Sequence, residues 1–157
     1  MKPRIMPLEE LMIELAREHD SVCYEINKAE TELVNFNYRE GEVDFEKIVE
    51  LLSQHTIDEQ RSLLGYLIEK LGRDRSGSNI EVMRGHTQIM NLVKNLSTLI
   101  ADGRGINIAD LENLKTLLKE QFAKEQSLFW QASSLNDSKS REEYSSDLDR
   151  YVNEGGK

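Results

Sequence analysis

The chain has 157 residues, with 29 acidic against 20 basic side chains and a formal net charge of -9. That length suits one domain able to bury about 70% of the surface its unfolded form exposes, so no metal is needed merely for folding. The negative field repels phosphate backbones and excludes nucleic acid as a partner class. The single cysteine, Cys23, has no internal disulfide partner. The start lacks a charged stretch leading into an apolar run and a cleavage site, and charges interrupt every apolar stretch short of the ~18 residues of a membrane span. A reducing, cytoplasmic and non-membrane setting is therefore expected.

Both prolines, Pro3 and Pro7, precede the first periodic segment, where a missing backbone donor costs a helix little. Leu8, Leu11, Leu15, Val22, Ile26 and Leu33 then recur at the three-and-four spacing of one helical face, with His19 on that same face. The segment Asn37 to Glu42 reads as a loop, and Asp44 as the cap of a second helix running to about Leu71, with Gly72 just past its end. Its seam is Phe45, Ile48, Leu52, His55, Glu59, Leu63 and Tyr66.

The break Asp74-Arg75-Ser76-Gly77-Ser78 precedes a third seam of Val82, His86, Ile89, Val93, Leu96 and Ile100. The turn Asp102-Gly103-Arg104-Gly105 leads to a fourth, made of Leu111, Leu114, Leu118, Gln121, Glu125, Leu128 and Ala132. Ser133 to Asp137 reads as its end, and Ser138 with Arg141, Glu142 and Glu143 as the start of a short fifth helix before Gly155-Gly156. No strand-like alternation or repeat appears. The expectation is an all-α, up-down-up-down antiparallel four-helix bundle over residues 1–132, with 133–157 a tail carrying a short C-terminal helix.

The chain's three histidines, His19, His55 and His86, thus sit on three different seams. If a core face takes about three of seven helical positions, all three land inward by chance in roughly 8% of cases. His55 and Glu59 project from one face one turn apart, as do Gln121 and Glu125. Two inward carboxylates, Glu59 and Glu125, are costly without a cation, and the seams offer no lysine or arginine. Imidazole with carboxylate suits iron, manganese or zinc, while the single cysteine rules out a thiolate cluster. A ferritin-like di-iron bundle needs a glutamate three residues before a ligand histidine, and those places hold Ala16, Leu52 and Met83.

The pattern Glu18-His19-Asp20, His55-Thr-Ile-Asp-Glu59, Gly85-His86-Thr87 and Gln121-Phe-Ala-Lys-Glu125, with Lys124-Glu125-Gln126-Ser127-Leu128-Phe129 in the last helix, resembles the hemerythrin family of cation-binding domains over about Leu8 to Trp130. The resemblance implies two carboxylate-bridged irons, with zinc or manganese as substitutes. Glu59 and Glu125 would bridge, His19, His55 and His86 would be terminal ligands, and Gln121 would stand where the family has histidine. The departures from the family, Gln121 in place of histidine and a single histidine on the third helix, point away from an oxygen carrier and toward a protein that senses or stores iron, oxygen or nitric oxide. With no nucleophile-base pair in the sequence, the chain is not expected to be an enzyme. Its partners would be metal ions, O2 or NO, and a second copy or another protein that reads the signal. Two alternatives stand beside it: a helical-bundle interaction module that has lost the metal, and a weak di-iron oxidase or peroxidase. Tyr66, Tyr24, Cys23 and the Met6, Met12, Met83 and Met90 set read as packing or surface residues.

Overall fold

The computed structural model describes residues 1–73 and 76–146, so that Asp74 and Arg75 of the third break and the Gly155-Gly156 stop lie outside the described residues. The protein is all-helical, and no strand occurs among the described residues. Helix α1 spans Leu8–Val34 and α2 spans Tyr38–Asp58; a π-helical segment, Glu59–Leu64, carries α2 on into α3, Gly65–Leu71. Asp58, Glu59, Leu64 and Gly65 all keep right-handed helical backbone, so these pieces form one rod. Helices α4, Gly77–Ala101, and α5, Ile108–Ser146, complete four rods. None of the described helices is long and apolar enough to cross a membrane.

Turn chemistry explains most of the boundaries. Gly72 takes φ +79° directly after α3, as the sequence predicts. Gly103, at φ +70°, ends α4 in a Schellman motif: its amide donates to the Ile100 carbonyl, and the Arg104 amide donates to that of Leu99, each at 3.0 Å. Two boundaries differ from the sequence reading. Helix α2 begins at Tyr38 instead of near Asp44, which lies buried inside the helix with Lys28 Nζ 3.2 Å from its carboxylate. Gly41 accordingly serves close packing and no loop, because a β-carbon there would stand 2.7 Å from Leu33 Cδ2. Helix α5 also passes through Ser133 to Asp137 without a break and runs to Ser146. Ser, Asn and Asp cost a helix only about 0.5 kcal/mol each, and no proline or glycine occurs there.

Buried apolar side chains form two clusters. One holds Val22, Ile26, Leu33, Phe45, Ile48, Leu52, Ile89, Val93, Leu96, Leu111, Leu114 and Leu118. The other holds Leu11, Leu15, Leu63, Leu64, Leu67, Val82, Leu128 and Phe129. In each rod the polar seam residues fall in sequence between the members of the two clusters: His19 in α1, His55 and Glu59 in the second rod, His86 in α4, Gln121 and Glu125 in α5. The π segment alters the seam beyond Glu59. It adds a residue to the turn and rotates the rest of the rod, so Leu63, Leu64 and Leu67 are buried and Tyr66, expected inward, is half-buried.

Candidate metal centre

All five of His19, His55, Glu59, His86 and Glu125 are buried, with Glu59 and Glu125 both at 0% exposure. One ligand atom from each of His19, His55, Glu59 and Glu125 lies within 4.8 Å of all the others. Glu125 divides its two oxygens between two sides. Oε1 takes His19 Nε2 at 2.7 Å and His55 Nε2 at 2.9 Å, while Oε2 takes His86 Nε2 at 3.1 Å. Glu59 divides likewise, with Oε2 3.5 Å from His55 Nε2 and Oε1 3.1 Å from His86 Nε2. Each carboxylate therefore faces His55 with one oxygen and His86 with the other.

The proton count leaves Glu59 short. A ring Nε2 carries one proton, and those of His55 and His86 are aimed at Glu125. The Glu59 contacts are within ion-pair distance but lack hydrogen-bond geometry, and both of its oxygens are buried without a hydrogen-bond partner among the described residues. A buried carboxylate in that state is costly, and the donors around it, imidazole and carboxylate, are those that suit iron, manganese or zinc. The residues present fit a metal cation.

Supporting contacts fix the rings. His55 Nδ1 stands 3.1 Å from Glu18 Oε1, and His86 Nδ1 stands 3.1 Å from Gln60 Nε2, the second residue of the π segment. His19 stacks on Phe122 at 3.9 Å between centroids and lies near-parallel to Phe129 at 5.7 Å. Such outer partners hold the orientation of the rings in metal sites. Glu18 completes the seam of Leu11, Leu15 and Val22, so periodicity marks it, whereas neither Gln60 nor the stacking of Phe122 leaves any trace in residue spacing.

Gln121 is buried, but its amide does not join the cluster. Nε2 donates to the Val82 carbonyl at 2.9 Å, and the side chain lies against Gly85, where a β-carbon would stand 2.0 Å from Oε1. Gly85 thus leaves the room in α4 that the amide occupies. Beside it lies a largely enclosed cavity of about 10 Å³, lined among others by His55, His86, Ile89, Gln121 and Phe122. That is at the lower limit for holding a single water molecule.

Protein-family models, curated proteins and solved structures offer no match to this chain. The site therefore stands on its own geometry.

Electrostatics in the metal-free protein follow from the same contacts. Burial opposes charge on His86, but its hydrogen bond to Glu125 and the negative charge of Glu59 3.1 Å away outweigh it and raise its pKa from 6.5 to about 9. For His55, burial is likewise outweighed, by Glu125, Glu18 and Glu59, and the pKa rises well above its ordinary value. Burial favours protonated Glu125, yet hydrogen bonds from His19, His55 and His86 hold it far below the usual carboxylate range.

These pairings make the stability of the metal-free protein depend on pH. The raised His86 contributes stability that is present below pH 6.5 and is lost as pH rises through about 9. Metal-free protein should therefore lose on the order of 3 kcal/mol between those limits, read as a falling urea midpoint across a pH series. Glu125 contributes in the opposite sense, its share being present above pH 4.5 and declining below it. A flat midpoint from pH 6.5 to 9 would contradict the pairing.

Gly85→Ala should also destabilise the protein by about 1–3 kcal/mol, because it drives the Gln121 amide off a buried carbonyl. In a Gln121→Ala background the same change should stabilise by roughly 1 kcal/mol, through helix propensity alone. Equal effects of Gly85→Ala in both backgrounds would show that the two side chains are not in contact.

Proposed function

We propose that this protein is a hemerythrin-like, non-haem di-iron binding protein that senses or stores iron, oxygen or nitric oxide. In this reading the rods form an up-down-up-down antiparallel four-helix bundle. Support comes from cluster membership: one cluster takes the later half of α1, the earlier half of the rod Tyr38–Leu71, the later half of α4 and the earlier half of α5, and the other takes the remaining halves. Alternation of that kind is what antiparallel neighbours produce.

The observation that carries the reading is the pair of orphaned, fully buried oxygens of Glu59, aimed at two imidazoles that are already committed to Glu125. Glu59 and Glu125 would hold two cations between them. His19 and His55 would complete one position and His86 the other, with manganese or zinc as substitutes. Bound iron supplies one-electron redox chemistry and a coordination position open to a small ligand.

The chain's own residues shape what reaches that position. Gln121, held on Val82, contributes no third imidazole, so the His86 side has fewer protein donors than the His19 and His55 side. The small cavity beside it leaves no space for an organic substrate. Binding and sensing account for these features better than turnover does.

The metal-free interaction module has one observation in its favour: all three histidines find a hydrogen-bond partner in Glu125 without a metal. It leaves Glu59 with ion-pair contacts to His55 and His86 but without a hydrogen bond. Elemental analysis of protein reconstituted anaerobically with ferrous iron decides between the two. The di-iron reading expects about two irons per chain and a visible charge-transfer band after exposure to air. It also expects both to be lost in Glu59→Ala and Glu125→Ala variants. Iron at background in the wild-type protein would leave the interaction module as the better account.

A further inference from the structure

Ahead of α1, the segment of residues 1–7 lies against the rod that carries His55. The Arg4 backbone amide donates to Asp58 Oδ1 at 2.6 Å, and its Nε donates to Asp58 Oδ2 at 2.5 Å. Gln54 Nε2 donates both to the Lys2 carbonyl at 2.9 Å and to Asp58 Oδ1 at 3.0 Å. Asp58 is 0% exposed and sits one turn beyond His55 and directly before Glu59. The segment is thus docked through backbone and side chain onto the turn that presents two of the candidate ligands.

The other arm of the same guanidinium reaches inward. An Arg4 terminal nitrogen donates to Glu18 Oε2 at 2.6 Å, and Glu18 Oε1 stands 3.1 Å from His55 Nδ1, whose Nε2 faces Glu125. The planar fork holds the two carboxylates in a fixed relative geometry, whereas lysine offers a single point charge in its place. Glu18 is buried, and without Arg4 its carboxylate would keep only the His55 ring as a partner.

We infer that Arg4 and Glu18 are positioning residues for the metal centre: Arg4 fixes the Glu18 carboxylate, which holds His55 Nδ1–H and so presents the Nε2 lone pair to the metal. The N-terminal segment is the outer end of this relay, with the Arg4 side chain 30% exposed, so displacing the segment loosens one metal ligand. The inference rests on the metal reading above and adds to it the element that sets how firmly metal is held.

Two readouts on the full chain test it. In metal-free, ¹⁵N-labelled protein, the His55 Nδ1–H resonance should be protected from exchange in the wild type and exchange-broadened or shifted in Arg4→Ala. In iron-loaded protein, release of ferrous iron to a chelator should be about tenfold faster in Arg4→Ala, the scale on which outer partners act in metal sites. A Glu18→Gln variant should release iron as fast, and adding Arg4→Ala to it should change nothing further. Arg4→Lys keeps a cation on Asp58 and covers the case in which Arg4→Ala does not fold; it too should release iron faster than the wild type. An unmoved resonance, or an Arg4 effect of equal size with and without Glu18→Gln, overturns the relay while leaving the metal site standing. Wild-type protein that takes up no ferrous iron overturns the metal reading and, with it, any role of Arg4 in holding metal.

Discussion

Two fully buried carboxylates in the middle of a helical core are the constraint on which the rest of this structure depends. Glu59 and Glu125 have no exposure, and the cost of burying such groups unpaired is several kcal/mol each. Three imidazoles converge from other parts of the core to meet them, yet all three donate to Glu125 and leave Glu59 without a proton to accept. A protein of this length has enough apolar surface to fold with leucine at those positions. Retaining charge there makes sense if a cation completes the layer.

The local structure around that layer serves it. The π segment starts at Glu59, places Gln60 on His86 Nδ1 and turns Leu63, Leu64 and Leu67 into the adjoining apolar cluster. Phe122 and Phe129 hold the plane of the His19 ring, and the Arg4 and Glu18 pair holds that of His55. Gly85 and Gln121 act in the opposite sense, keeping an amide attached to α4 on the side where His86 stands. The result is an asymmetric centre, richer in imidazole on one side than on the other.

Much of this was legible in the residue spacing. The seams of α4 and of α5 through Ala132 are buried position for position, because proline-free helices of this length keep their period. The five candidate ligands were legible for the same reason, each falling where an aliphatic residue would continue a seam. What periodicity could not carry was any change of helical register or any contact made from outside a helix. The π turn leaves Tyr66 only half-buried against the Leu63, Leu64 and Leu67 cluster, through a backbone slip that has no residue signature. The early start of α2 was hidden because Gly41 and Asp44 resemble loop and cap residues until Leu33 and Lys28 are seen packed on them. Arg4 precedes all periodic sequence, and its role exists only in the folded chain.

The central claim, that the buried imidazole and carboxylate layer is a metal centre, is tested most directly by anomalous diffraction at the iron absorption edge from crystals of protein loaded with ferrous iron. Anomalous density is expected between Glu59 and Glu125, with one peak on the His19 and His55 side and a second on the His86 side. The absence of density there, with the three imidazoles still hydrogen-bonded to Glu125, would contradict the claim.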